Sequence, residues 1–216
     1  MMHDIPDLLL ALVRYNVGMT LTAIAISLPI ACVFAVARLS PSPFIHYPAT
    51  FYVNVLRSLP LVMIIFWVYT VGPLITGRPS SAYFSALAAL AAFEVAYFTE
   101  IIRAGVQSVA IGQRNAGLAS GLSKTQTMRL IILPQALRRM MPSLLTQSLI
   151  AFQDSTIASI ISVPDILHET TVINAREQTP IFLYSALAII YFVTCYALSL
   201  LVRKLEQRSQ LRMAAA

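Results

Sequence analysis

Charge is scarce in this chain: only 11% of its 216 residues are Asp, Glu, Lys or Arg, and 58% are hydrophobic. Soluble domains carry roughly 25% charged residues, so with a mean hydropathy of +0.76 the composition excludes that class and indicates an integral membrane protein. Cysteine is nearly missing. Cys32 and Cys195 each sit in an apolar run, which supports neither a disulfide nor a thiolate metal site. No G-x-x-x-x-G-K-[ST] phosphate loop occurs, so ATP is not hydrolysed here by that route. The three histidines (His3, His46, His168) lie outside the apolar runs, and no H-E-x-x-H or nucleophile–base pairing appears; no catalytic residue and no metal site is expected. The start, MMHDIPD, has acids where a signal peptide carries Lys or Arg, so the first span is expected to be retained. Acids number nine, with none between Glu100 and Asp154. The net charge of +6 would suggest nucleic acid in a soluble protein. Here the cations cluster at the ends of apolar runs, where they set topology, so no nucleic-acid partner is expected.

What is abundant is apolar length. Between Arg14 and Arg38 lie 23 uncharged residues, enough for a helix across a hydrocarbon core of about 30 Å. Pro29 inside it predicts a kink. Further spans are expected at about 49–71, 82–103, 139–161 and 181–202, after a first at about 15–37. Turns are expected at Ser40–Pro43, closed by Pro48, and at Gly72, Pro73, Gly77 and Pro79. The reading is an all-α membrane protein of five transmembrane helices, a single domain over 1–216.

Five spans put the termini on opposite sides. Eleven basic residues then share one side with the insert and tail, against three (Arg14, Arg78, Arg176) on the other. The positive-inside rule places the amino terminus outside and the carboxyl terminus in the cytoplasm.

The third and fourth spans are separated by a polar insert, about 105–136, holding four of the seven glycines. Connections this long usually do something. A short helix near Ala116, ended by Gly121 in a left-handed conformation, would present a compact knob. Ser123 offers a cap to a second helix leading into Pro134.

The insert carries a resemblance. Permease subunits of bacterial ABC importers have a signature of Glu-Ala-Ala, three residues, Gly, nine residues, then Ile-x-Leu-Pro. This chain has Asn115-Ala116-Gly117, Gly121 and Ile131-Ile132-Leu133-Pro134 at that spacing. YVNVLRSLPLVMIIFW, EIIRAGVQSV and FQDSTIASI resemble the polar amino-acid branch, with glutamate/aspartate permeases most similar. Asn115 replaces the signature's glutamate and Gly117 its second alanine, so no salt bridge to a partner is expected at 115. The resemblance implies a type I importer permease whose coupling loop (Asn115, Ala116, Gly117, Gly121, Leu122, Pro134) docks a nucleotide-binding ATPase subunit, which would hold ATP and magnesium. It also implies a second permease chain, a periplasmic solute-binding protein and a bacterial inner-membrane location.

Four ionisable residues fall in or beside the spans: Arg57, Glu94, Glu100 and Asp154. Charges at that depth need a partner or water. Glu100 and Arg103, three apart on a helix, suit a structural pair, while Glu94 faces about 120° away from Glu100. Asp154, flanked by Gln153, Ser155 and Thr156, is the best candidate for the substrate pathway, with Arg57, Glu94 and Ser155 beside it. Arg57 could equally pair with an acid. A rival reading is a gradient-driven carrier or channel using the intramembrane carboxylates, which would have no need of the insert.

Overall fold

The computed structural model describes residues 5–79 and 81–214, with side chains placed for 6–79 and 81–204. His3, Asp4 and the charged side chains of the tail beyond Lys204 lie outside those ranges. Everything described is helix or short connection. In chain order the helices are α1 (Ile5–Ala11), α2 (Gly18–Arg38), α3 (Pro43–Ser58), α4 (Leu61–Thr76), α5 (Ala82–Gln107), α6 (Ile111–Ala119), α7 (Lys124–Thr127), α8 (Leu133–Asp154), α9 (Ile166–Glu177) and α10 (Pro180–Ala214).

Three stretches are long and apolar enough to cross a membrane alone: Pro6–Arg38, Ala82–Gln107 and Pro180–Lys204. The first joins α1 and α2 through a π-helical turn, Leu12–Val17, and continues through Pro29. Two bent pairs pass the same test together. The segment expected as one span over 49–71 is such a pair, α3 and α4 meeting at 106°. Pro60 is the cause. Its ring disfavours helical geometry in the preceding residue, and Leu59 is extended (φ −104°, ψ 142°). The expected turns also shift. Pro43 opens α3 from an extended Ser42, whereas Pro48 lies inside that helix rather than closing a loop. Gly72 and Pro73 belong to α4, which ends at Gly77 with φ +66°. His46, expected in a solvated loop, is thereby on α3, its Nδ1 2.8 Å from the Arg38 carbonyl.

The second bent pair covers the expected fourth span. The helix starts at Lys124, well before 139, runs through a π-helical turn at Met128–Ile132 and α8, and tightens to a 3-10 helix over Ser155–Ile161. α9 then departs at 46°.

Small residues decide the central contact. Ala23, Ser27, Ala31 and Ala35 recur every four residues on α2 and are fully buried, and α5, which packs against α2, buries Ala86, Ala89 and Ala96. Backbones approach closely where side chains are short, and that packing substitutes for the hydrophobic drive that lipid does not supply. Thr99 reinforces it, its hydroxyl donating to the Ala31 carbonyl at 3.4 Å. By contrast, only 6% of the apolar window of Pro180–Lys204 is covered, so α10 stands at the edge of the bundle.

Candidate functional site

The polar insert folds into two linked helical pieces. α6 begins at Ile111, five residues before the expected start at Ala116, and closes through backbone bonds, with the Ser120 hydroxyl donating to the Ala116 carbonyl at 2.9 Å. Leu122 N–H donates to the Gly117 carbonyl at 3.2 Å and Gly121 N–H to that of Leu118 at 3.1 Å. This pair of bonds is the Schellman closure, and it needs Gly121 at φ +85°. Two residues on, Ser123 and Gln126 form a reciprocal capping box: the Ser123 Oγ accepts from Gln126 N–H, and the Gln126 side chain accepts from Ser123 N–H at 2.9 Å. The chain turns from one helix to the next in four residues with both ends satisfied internally.

Gly117 faces inward. It is buried, and a Cβ built on it would lie 2.8 Å from Thr127 Cγ2 and 2.8 Å from Ile131 Cδ1. Gly117 therefore lets α6 lie against the following helix. Asn115, Ala116, Gly121 and Pro134 are exposed, while Leu122 is half-buried. The insert also presents Ile111, Leu118 and Leu130 to its surroundings, 67%, 38% and 62% exposed, among the cations Arg114, Lys124 and Arg129. Pro134 follows the π-helical turn; widening the helix there accommodates a ring that can neither donate nor fit an ordinary turn.

A second constellation lies at the insert's end of α5. Glu100 meets three guanidinium groups from three helices: Arg38 at the end of α2, Arg103 on α5 itself, and Arg57 at the end of α3, 3.8 Å away. Arg57 also stacks over Tyr97, its Cζ 5.3 Å from the ring centroid. The pairing of Glu100 with Arg103 agrees with their spacing.

The other named residues fall apart from these. Glu94 is fully buried, and its two carboxylate oxygens accept from the side-chain amide nitrogen of Gln147 on α8, at 3.3 and 3.2 Å. Asp154 is the half-buried last residue of α8. Ser155 instead joins a polar hub that sequence reasoning missed. Asn16, fully buried in the π-helical turn of the first span, points its amide at Ser155 Oγ (3.2 Å), Asp165 (3.4 Å) and Tyr191 (3.1 Å). Its carbonyl oxygen accepts from Ile166 N–H at 3.3 Å. The available signal was a lone asparagine two residues after Arg14, at the start of an apolar run, where a buried amide must find protein partners.

Comparison with known proteins decides the class. Residues 14–210 match the family described as the binding-protein-dependent transport system inner membrane component. The chain belongs to that family. It is 39% identical over 213 residues to the glutamate/aspartate import permease protein GltK of Escherichia coli O6:H1, covering 95% of each chain. It is 41% identical over 161 residues to the probable glutamine ABC transporter permease protein GlnP of Bacillus subtilis, covering 72% of each. Among solved structures, a chain of an amino acid ABC transporter crystallised with histidines superposes with a TM-score of 0.88 at 27% identity, over 95% of this chain and 97% of that one. The fold of this family member is that of a type I ABC importer permease, a membrane-embedded transport component.

Proposed function

We propose that the chain is the membrane-spanning subunit of an ATP-driven importer for polar amino acids, acidic ones favoured. The observation that carries the reading is the insert: a knob whose two helices are each capped at their shared turn and whose outward face combines exposed apolar side chains with cations. A surface of that kind suits a protein partner better than water. In this reading the partner is a nucleotide-binding ATPase subunit, two copies of which hold ATP with magnesium and push on the knobs of a pair of permease chains. An external solute-binding protein delivers the cargo. The insert and carboxyl terminus face the cytoplasm and the amino terminus the outside of a bacterial inner membrane, as the excess of basic residues favours. In this reading Asp154 meets the cargo's ammonium group along the pathway; Glu94, buried against Gln147, and Ser155, bonded to Asn16, take positioning roles, while Arg57 stands apart at Glu100. A gradient-driven carrier would have no use for the knob.

Copurification tests the partner. An ATPase subunit should come down with this chain, and Gly121→Glu, which removes the left-handed closure, should release it. In proteoliposomes uptake should require nucleotide, and accumulation by this chain alone without nucleotide would refute the reading. Competition of labelled glutamate by unlabelled amino acids checks the cargo class.

A further inference from the structure

A single carboxylate serving three guanidinium groups is an uneven arrangement. Arg38, with a side chain only 10% exposed, and Arg103 take the close contacts; Arg57 stands at 3.8 Å and is 38% exposed. The buried Arg38 Nε has no hydrogen-bond partner. Charges near membrane depth are held in place by such partners, and removing the shared one would leave like charges facing each other.

The position of Glu100 gives the arrangement a meaning. It lies on α5 eleven residues before the insert begins at Ile111. Between them α5 is pinned to α8. Arg139 donates to the Ser108 carbonyl, and Gly105 lets the backbone approach so closely that a Cβ there would lie 2.8 Å from Met140 Cβ. The insert, the end of α5 and the start of α8 are thus one packed unit. Glu100 is the place where that unit grips the end of α2 through Arg38 and the α3–α4 break through Arg57, three residues before Pro60.

We propose that Glu100 is the mechanical junction between the insert and the broken second span, and that Arg57 is the arm through which the α3–α4 break follows the insert. The proposal rests on the reading of the insert as the ATPase-docking knob. Arg57 acts here as a positioning residue, working through Glu100 rather than on the cargo.

The test uses the assembled transporter in proteoliposomes, with labelled glutamate uptake and ATP hydrolysis measured on the same preparation. Arg57→Gln should lower uptake per ATP on the order of fivefold or more, the lower end of ordinary coupling between sites. ATPase copurification and hydrolysis should stay within about twofold of the unaltered protein, the change expected at a half-exposed position remote from the knob. Arg57→Lys, which keeps the charge but not the fork, should recover part of the coupling, and Glu100→Gln should reproduce the loss. Uptake and hydrolysis falling in step, or neither changing, would overturn the junction. A KM for glutamate that rises with an unchanged ratio of transport to hydrolysis would assign Arg57 to the cargo instead, and also overturn it. If no ATPase copurifies with the unaltered chain, the docking reading fails first and the junction falls with it.

Discussion

Replacing Gly117 with alanine restores the residue usual in the permease signature, yet the structure argues that it will weaken the knob. Alanine in a helix interior gains about 0.5–1 kcal/mol over glycine. Against that, its Cβ would lie 2.8 Å from both Thr127 Cγ2 and Ile131 Cδ1. The isoleucine methyl is the end of a flexible side chain and can move aside. Thr127 is β-branched, buried and held at the start of a helix, so it yields less. Overpacking of this kind costs about 1–3 kcal/mol, which leaves a net loss of roughly 1 kcal/mol, or about fivefold in the population of the docked knob. The measurement is the affinity of the detergent-solubilised chain for its ATPase, in a double-mutant cycle with Thr127→Ser. Serine removes the methyl and keeps a hydroxyl that has no hydrogen-bond partner in the structure, so the second change relieves crowding without breaking a bond. The two substitutions should couple by at least about 0.5 kcal/mol, with the pair closer to the unaltered protein than Gly117→Ala alone. Unchanged or tighter binding by Gly117→Ala, with no coupling to Thr127, would refute the reasoning.

Three further outcomes are expected. Ser123→Ala deletes one arm of the capping box and should cost about 1 kcal/mol of local stability, seen as faster amide exchange across residues 124–127 with the spans unaffected. Gln147→Leu leaves the buried Glu94 carboxylate without its amide partner and should lower thermal stability by about 1–3 kcal/mol, readable as a drop in the unfolding midpoint of the purified complex. Asp154→Asn should reduce uptake in vesicles more than it reduces ATPase copurification; equal uptake by mutant and unaltered protein would remove Asp154 from the pathway.

Apolar length made the membrane class and the all-helical fold legible, because hydrocarbon thickness and helical rise leave little choice. The broken second span was not legible from proline alone. Pro29, Pro48, Pro73 and Pro142 all lie within helices, whereas Pro60 divides a segment whose apolar length suggests one span. What differs is whether neighbouring groups take over the freed backbone bonds, a tertiary matter. In the insert, Gly121 and Ser123 announced their caps, since left-handed glycine and serine–glutamine pairs have local causes. The close approach at Gly117 had no such signal, because Thr127 and Ile131 reach it only once the helices are folded together. Glu100 with Arg103 was readable from spacing, whereas Arg38 and Arg57 come from distant helices. Asn16 and Gln147 were visible as amides in apolar surroundings, but which groups they serve depends on packing across the whole chain.

The Asn16 hub imposes an order on biogenesis. Its partners Ser155, Asp165 and Tyr191 lie 139, 149 and 175 residues downstream. During synthesis the earliest segment threaded into the bilayer therefore holds an amide whose partners emerge only late in the chain, the last of them on the closing helix. The first and last membrane segments are thereby joined through one side chain, although the whole of the chain between them is made in the interval.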